Sequence, residues 1–468
     1  MQSSMIGSIR ARRRAAAAVA VLGLLAAATP LPAQQKTGPG VPAADSLTWN
    51  GITLYGVIDI GVQYDTHMAP FTPYRPAASG NIVRSNSHQS AFGLTPSNMG
   101  QSRIGLQGNE ALTDDLSAIF QVETFFNPQS GELADSLRSL TENNGKAVKD
   151  QSVGVDGSSA GQLLQTAYLG LKSRRFGTLT FGRQQALVAE GMVRYDPNQL
   201  ASAFGLLGAS NTYAGAGSSE DNRLDSTAKY ALRLGEHLHL AGLYKFNGST
   251  GSARTAVQGN VGGSVGALSI DGYYSQVNSS ITGSSLSAAQ VATLPAGYAL
   301  GKSLLGTVSD NTTYALMGLY PLGRLKLFAG YENITWTNPR HPLEAGFGNI
   351  GGYVLAYVSN TAYNERKIGN VYWSGLRYAV SQPLELSAGY YRVHQAGFGT
   401  GALAGCSSAA SSKCSGDLQA VSLAADYRFN VHFDAYLGAT YSKASGGLAS
   451  GFLYTDNINP TLGGRYKF

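Results

Sequence analysis

The stretch that decides the fold runs from Thr53 to Gln63 and reads T-L-Y-G-V-I-D-I-G-V-Q. Its apolar side chains share one face of an extended chain: Leu54, Ile58, Ile60 and Val62. Its polar and small side chains share the other face: Thr53, Tyr55, Asp59, Gly61 and Gln63. Because successive side chains of a strand point to opposite faces, this alternation predicts a β-strand with one apolar and one polar surface.

The same unit recurs to the C-terminus, as an alternating run, a short turn, a second run and a longer polar loop. The predicted strands are 49–64, 100–109, 116–127, 163–171, 178–184, 223–233, 238–246, 254–265, 267–277, 311–321, 324–337, 369–380, 384–395, 418–429, 432–444 and 460–468. Short turns that alternate with long loops are typical of transmembrane barrels. We therefore predict an all-β fold, a sixteen-stranded antiparallel transmembrane β-barrel.

The composition agrees with this fold class. The chain has 468 residues, of which 13% are charged, and it contains 59 Gly and 26 Tyr. Such a composition is poor in helix formers and rich in turn and strand residues. A secreted β-sandwich is the competing interpretation, but its strands would need polar outward faces over lengths that here match a tilted membrane crossing.

The N-terminus has the three regions of a secretory signal peptide. Arginines at 10, 12, 13 and 14 precede the apolar run 15–28, and small residues and prolines lead to Ala33. The apolar run is shorter than the roughly 20 residues that a membrane-spanning helix needs. We predict a signal over 1–33, a short lead over 34–48 and the barrel over 49–468. Without the signal the formal charge falls from +6 to +2, too little to suggest nucleic-acid binding.

The chain has two cysteines, Cys406 and Cys414, in a segment rich in Gly, Ser and Ala. An exported protein can keep a disulfide, so a bond between them is plausible. Two free loop thiols are the alternative. The pair has no further cysteine and no nearby histidine, which argues against zinc.

Four segments resemble the trimeric general-diffusion porins of Gram-negative bacteria, particularly those of β-proteobacteria: 53–59, 102–108, 118–123 and 176–184. The tail residues Leu462, Tyr466 and Phe468 resemble the alternating C-terminal signal that the barrel-assembly machinery recognises. The resemblance implies a homotrimer in the outer membrane, in contact with membrane lipid and lipopolysaccharide. We expect no cofactor and no metal.

The same resemblance implies a constriction, with the third long loop, about residues 185–222, folded into the barrel. Arg103, Arg183 and Arg223 correspond to a basic wall, and the loop residues Glu190 and Asp196 are the candidate acids opposite it. Strand parity supports Arg103, because Ile104 and Leu106 fall on the other face. It places Arg183 with the lipid-facing residues unless a bulge turns it inward.

Three further residues have lumen parity, namely Asp59, Gln121 and Glu123. Their side chains would make the pore wall more negative or leave it neutral, and they would therefore weaken any anion preference. Opposed charges in a narrow passage orient dipolar solutes and bias ion choice. The resulting expectation is passive diffusion of ions and small hydrophilic solutes, with weak or moderate anion preference.

Two other functions compete with this expectation. A substrate-specific channel for sugars or organic anions would use the same barrel. Its pore would be lined by a row of aromatic side chains or a dense row of basic ones, and the sequence shows neither clearly. An outer-membrane enzyme would need converging catalytic groups. The seven histidines fall in predicted turns, loops and one strand end, so we predict no enzymatic activity.

Overall fold

The computed structural model describes residues 47–74, 82–156, 163–209, 222–247, 254–348 and 350–468. The predicted signal peptide and nearly all of the short lead lie outside the described residues.

Sixteen long strands form the wall. They are β1 Ile52–Asp65, β2 Arg103–Ala111, β3 Leu116–Phe125, β4 Thr166–Ser173, β5 Gly177–Gln185, β6 Arg223–Leu234, β7 Leu238–Lys245, β8 Thr255–Val265, β9 Leu268–Ser284, β10 Ser303–Leu322, β11 Leu325–Thr337, β12 Lys367–Ala379, β13 Leu384–Gln395, β14 Gly416–Arg428, β15 Phe433–Gly446 and β16 Asp456–Lys467. Each predicted strand overlaps one of these.

The remaining elements of the described residues are short. Three extra strands are Thr48–Trp49, Ala91–Pro96 and Val354–Ser359. The α-helices are α1 Ser136–Thr141, α2 Leu187–Tyr195, α3 Leu206–Ala209 and α4 Ala288–Ala292, and 3-10 turns occupy Val148–Asp150, Leu300–Lys302, Gly401–Leu403 and Gly447–Ala449. Within the described ranges, no helix has the length and apolar character needed to span a bilayer.

Each wall strand pairs antiparallel with its neighbours in the chain, and the sheet closes on itself. At the seam between β16 and β1, Thr461 lies opposite Gln63 and Lys467 lies opposite Val57. Closure removes the free edges that an open sheet would expose. The predicted sixteen-stranded antiparallel barrel is therefore confirmed.

Side chains alternate between a buried and an exposed face. On β1, Ile58 is 40% exposed whereas Asp59 is fully buried. On β14, Val421 and Leu423 are exposed whereas Ser422 is buried. The exposed face is mainly apolar, as a wall in contact with lipid requires.

Strands β9 and β10 are longer than predicted, reaching Ser284 and beginning at Ser303. The register between them shifts between Val277 and Ser280 and then continues to the pair Ser284 and Leu305. The extension is rich in serine and glycine, so its sequence lacks the alternation that marks the membrane-crossing part.

The loops at the long-loop end pack against one another. Leu137 and Leu140 of the β3–β4 connection belong to one buried cluster with Leu304 of β10. Asn144 Nδ2 donates to the carbonyls of Leu300 and Ser303, both at 2.8 Å. The β3–β4 connection thus reaches the β9–β10 region, six strands away around the barrel.

Cys406 and Cys414 form a disulfide in the loop that joins β13 to β14. Cys414 is fully buried, and its carbonyl accepts a 2.8 Å hydrogen bond from Gln395 Nε2. The disulfide and this hydrogen bond together hold the loop tip against the end of β13.

Replacing both Cys406 and Cys414 by serine is expected to loosen this loop and leave the barrel intact. Loss of a cross-link that closes so short a loop costs about 2–3 kcal/mol of local stability. Limited proteolysis of the folded protein should show faster cleavage within 396–415. The difference in gel mobility between heated and unheated samples, which reports an intact barrel, should stay as in the wild type. A matched control is Ser407→Ala with Ser411→Ala. Equal cleavage rates in the double cysteine variant and the wild type would contradict the prediction.

Candidate functional site

Two of the predicted arginines meet at one carboxylate. Arg103 Nε of β2 lies 3.2 Å from Glu123 Oε2 on β3, and Arg223 Nη2 of β6 lies 3.8 Å from Glu123 Oε1. The Arg223 guanidinium also stacks over the Phe125 ring, 4.5 Å from its centroid. The wall between β2 and β6 therefore holds a compact charged cluster, which we call the arginine cluster.

Glu123 is held at the centre of this cluster by neutral partners as well. Tyr55 OH donates to Glu123 Oε2 at 3.0 Å, and Gln121 Nε2 donates to Tyr55 OH at 2.5 Å. Only 6% of the Glu123 side chain is exposed. A buried carboxylate is stable only with such charge and hydrogen-bond partners. Both Gln121 and Glu123, predicted as lumen-lining residues, thus support the cluster.

Arg183 joins the same cluster through a break in strand β5. The register between β5 and β6 shifts between Gly182 and Gln184, and Gly182 has a φ of +133°, which favours glycine. Arg183 is 8% exposed. Like Arg103, it lies close enough for its positive charge to repel that of Arg223. Strict alternation alone would have left it on the apolar face. The irregularity at Gly182 supplies the bulge that the sequence interpretation required.

Helix α2 follows β5 directly and carries a charge at each end. Glu190 Oε1 accepts a 2.6 Å hydrogen bond from Lys229 Nζ of β6. Arg194 Nη1 lies 3.7 Å from Asp271 Oδ2 of β9, which also accepts from Tyr273 OH at 2.9 Å. The predicted constriction-loop acid Glu190 is thus exposed but paired with a wall lysine.

Asp196, the second predicted loop acid, has a different position. It is fully buried. Its carboxylate accepts from Tyr391 OH at 2.6 Å and from the backbone N–H of Leu200 at 2.8 Å. A carboxylate in this position cannot face a passing solute, so Asp196 departs from the expected exposed acid and instead fastens the chain after α2 to β13.

More contacts fasten the segment 186–207 to distant strands. Trp373 Nε1 of β12 donates to the carbonyl of Tyr195 at 3.1 Å. Asn198 Nδ2 donates to Ser422 Oγ of β14 at 3.0 Å, and Thr440 Oγ1 of β15 donates to the carbonyl of Ala203 at 2.9 Å. Sequence reasoning missed these anchors, because no local pattern links residues so far apart in the chain.

Asp59 is likewise an anchor. It is fully buried and accepts from Tyr436 OH at 2.5 Å. Its second oxygen accepts from the backbone N–H groups of Met99 and Gly100, both at 2.8 Å. The structure therefore places this predicted lumen-lining residue beneath the segment that leads into β2, where it holds that segment in place.

A cavity of about 250 Å³ adjoins the arginine cluster, between the wall and α2. Its lining includes amide, hydroxyl and charged groups, among them Gln121, Glu123, Thr166, Gln184, Glu190, Arg223 and Lys229. A polar cavity bounded by a closed barrel wall can hold water and small hydrophilic molecules.

A closed barrel with an apolar outer wall and a polar, charged interior defines a transmembrane β-barrel of the channel-forming class. A family model described as Gram-negative porin matches residues 15–447. The chain belongs to this family, and it is an outer-membrane porin.

Individual relatives are more distant. An outer membrane porin protein of Bordetella pertussis is 32% identical over 146 residues, and the matched part spans 31% of this chain and 31% of that relative's length. The anion-selective porin from Comamonas acidovorans matches in structure with a TM-score of 0.55 at 18% identity, covering 89% of this chain and 99% of that one. OmpT of Vibrio cholerae in its trimer form has a TM-score of 0.54 at 15% identity, covering 89% and 99%. These structural likenesses support the barrel fold alone.

Proposed function

We propose that this porin is a passive diffusion pore for ions and small hydrophilic solutes, with a weak to moderate preference for anions. The observation that carries the proposal is the pairing of Arg103 and Arg223 with the single carboxylate of Glu123, with the Arg183 charge close to Arg223. Three guanidinium groups and one carboxylate leave a formal charge of +2. A positive wall in a narrow aqueous passage raises the local anion concentration.

The segment 186–207 narrows the pore opposite this wall. Two observations support this part of the proposal. The segment leaves the wall at the end of β5, yet it is hydrogen-bonded to β12, β13, β14 and β15. It also packs its apolar side chains, including Leu187 and Met192, into a buried cluster together with side chains of several wall strands. Anchoring of this segment on the far side of the closed barrel supports a path across the interior.

The exposed charged side chains of α2 line the other side of the passage. Glu190 is paired with Lys229, and Arg194 lies near Asp271, so this side is close to neutral. The transverse field therefore arises mainly from the arginine cluster. This imbalance favours a weak or moderate anion preference over a strong one, because Glu123 already compensates part of the positive charge.

A homotrimer is the assembly we propose, in line with the trimer form of Vibrio cholerae OmpT. Single-channel recording of the full-length protein in a planar bilayer tests pore and assembly together. We expect large conductance steps in groups of three and a reversal potential that indicates anion preference. Single steps would overturn the trimer, and absence of conductance would overturn the pore.

A substrate-specific channel for organic anions or sugars is the second candidate. The polar cavity beside the arginine cluster favours it, because that cavity presents both cationic and neutral hydrogen-bonding groups to one solute. Concentration-dependent block of the ion current by one solute class would support this candidate. Unchanged current with a panel of sugars and carboxylates would support general diffusion.

Glu123→Gln is expected to strengthen the anion preference. The change removes the one negative charge among three arginines and keeps the side-chain size. A unit charge about 4 Å from a permeating ion in water contributes about 1 kcal/mol, so the anion-to-cation permeability ratio should rise by up to about fivefold. Reversal potentials in a salt gradient measure it, with Glu365→Gln in an exposed loop as the control. A ratio equal to that of the wild type would show that Glu123 does not face the ion path.

A further inference from the structure

The guanidinium of Arg223 lines the cavity beside the arginine cluster and forms no hydrogen bond with the described part of the chain. Only 16% of the side chain is exposed, and the ion pair with Glu123 is a long one of 3.8 Å. The Nε atom is buried and has no partner among the described residues. Buried polar groups normally form hydrogen bonds, and a guanidinium has five N–H donors. The donors of Arg223 are therefore available to a small molecule in the cavity.

The α2 side of the same cavity carries a carboxylate, that of Glu190. Lys229 Nζ donates to Glu190 Oε1 at 2.6 Å and to the carbonyl of Gln185 at 3.1 Å. Glu190 Oε2 has no hydrogen-bond partner among the described residues, and 44% of this side chain is exposed. One oxygen of this carboxylate can therefore accept hydrogen bonds from a bound molecule.

The charges that line the cavity cancel. Four charged residues line it, namely Arg223, Lys229, Glu123 and Glu190. Arg103 and Arg183 of the arginine cluster are not among the lining residues. A solute with a net charge would gain no net attraction from two cations and two anions. A solute with one charge of each sign can pair both of its ends, and each pairing is stronger beside a protein wall than in bulk water.

Neutral polar groups occupy the wall between these charges. Tyr168 lies close enough to Glu190 and Glu123 for both negative charges to act on it, and its hydroxyl has no partner in the described part of the chain. Gln121 uses Nε2 for the Tyr55 hydroxyl, which leaves its Oε1 as an acceptor. The lining thus suits a small solute with a polar body.

We propose that this cavity binds the zwitterionic form of an α-amino acid, with the carboxylate on Arg223 and the ammonium on Glu190. This site rests on the proposed pore function, because the solute reaches the cavity through the pore. A guanidinium can hold a carboxylate through two parallel N–H···O bonds. An ammonium has three donors and no acceptor, so it requires groups such as Glu190 Oε2 and Gln121 Oε1. The cavity, of about 250 Å³, has room for one small amino acid.

Block of the ion current by L-glutamine tests the site in single-channel recordings of the full-length protein. Two derivatives are matched probes: N-acetyl-L-glutamine lacks the ammonium, and the α-amide of L-glutamine lacks the carboxylate. We expect L-glutamine to reduce the conductance with a saturable concentration dependence. Each derivative should need an at least about tenfold higher concentration for half-maximal block, since each loses hydrogen bonds to a charged partner.

Two variants assign the two charges. The half-blocking concentration of L-glutamine should rise at least about tenfold in both R223Q and E190Q. E190Q should no longer distinguish L-glutamine from its N-acetyl derivative, and R223Q should no longer distinguish it from the α-amide. E365Q in an exposed loop is the control and should be blocked as the wild type is. E190Q alters a partly exposed side chain, so it tests the site even if R223Q does not fold.

Separate outcomes bear on the site and on the pore. A channel with the expected conductance and anion preference that L-glutamine does not block would overturn the site and leave the proposed function intact. Equal block by all three probes would show that neither charge is recognised. Stronger block by N-acetyl-L-glutamine than by L-glutamine would assign the cavity to anions. Absence of conductance would overturn the pore and the site together.

Discussion

Replacing Arg103, Arg183 and Arg223 together by glutamine is expected to convert the anion preference of the pore into a cation preference. The formal charge of the arginine cluster changes from +2 to −1, because Glu123 remains. At about 1 kcal/mol per unit charge at close range in water, three charges can shift the permeability ratio by one to two orders of magnitude. Single substitutions should each give a smaller shift in the same direction.

Reversal potentials across a salt gradient measure this effect, and high salt should diminish it, since screening shortens the reach of each charge. A matched control replaces the exposed arginines Arg324, Arg366 and Arg428 by glutamine. The control removes the same total charge, so it separates the local field of the cluster from the net charge of the protein. A reversal potential that stays the same in the cluster variant would refute the assignment of the constriction wall.

Asp196→Ala is expected to release the segment 186–207 and to enlarge the pore. The change removes the acceptor of Tyr391 OH, which is left in a buried position, and that of the Leu200 N–H, which is left in a partly buried one. An unsatisfied buried donor costs about 1–3 kcal/mol, which raises the undocked fraction of the segment by about fivefold to hundredfold. Single-channel conductance and current noise should therefore increase.

The conservative variant Asp196→Asn provides the control, because an amide keeps one acceptor oxygen and the shape of the side chain. Its conductance should lie between those of the wild type and Asp196→Ala. Selectivity should decline together with the rise in conductance, since a wider passage places ions farther from the arginine cluster. If Asp196→Ala folds and conducts like the wild type, the segment does not limit the pore.

The fold could be predicted from the sequence because a membrane-crossing strand needs apolar side chains at every second position, where they face lipid. Ile58 and Asp59 on β1 occupy opposite faces as the alternation requires. The prediction was less accurate where lipid no longer selects the side chains. The upper parts of β9 and β10 extend beyond the predicted ends, and their serine-rich sequences resemble loops although they form regular pairs such as Ser280 with Ser309.

The site was predictable only in part. Arg103 has a clear parity, but Arg183 is turned into the cluster by the shift at Gly182, which alternation cannot anticipate. The two aspartates illustrate a second limit. In the sequence, Asp59 and Asp196 resemble acids that line an aqueous passage. In the structure, each carboxylate accepts a hydrogen bond from a tyrosine of a strand near the C-terminus: Asp59 from Tyr436 and Asp196 from Tyr391. Their partners are fixed by tertiary structure.

The seam between β1 and β16 has a consequence for biogenesis. The first strand of the barrel can complete its hydrogen bonds only with the last strand, as the pair Gln63 and Thr461 illustrates. Until the whole chain has been exported, β1 presents an unpaired edge that could add to another sheet, and contacts so distant in sequence form slowly. A chain shortened before β16 would keep that edge permanently. The newly exported polypeptide therefore depends on protection from aggregation until its C-terminal strand arrives.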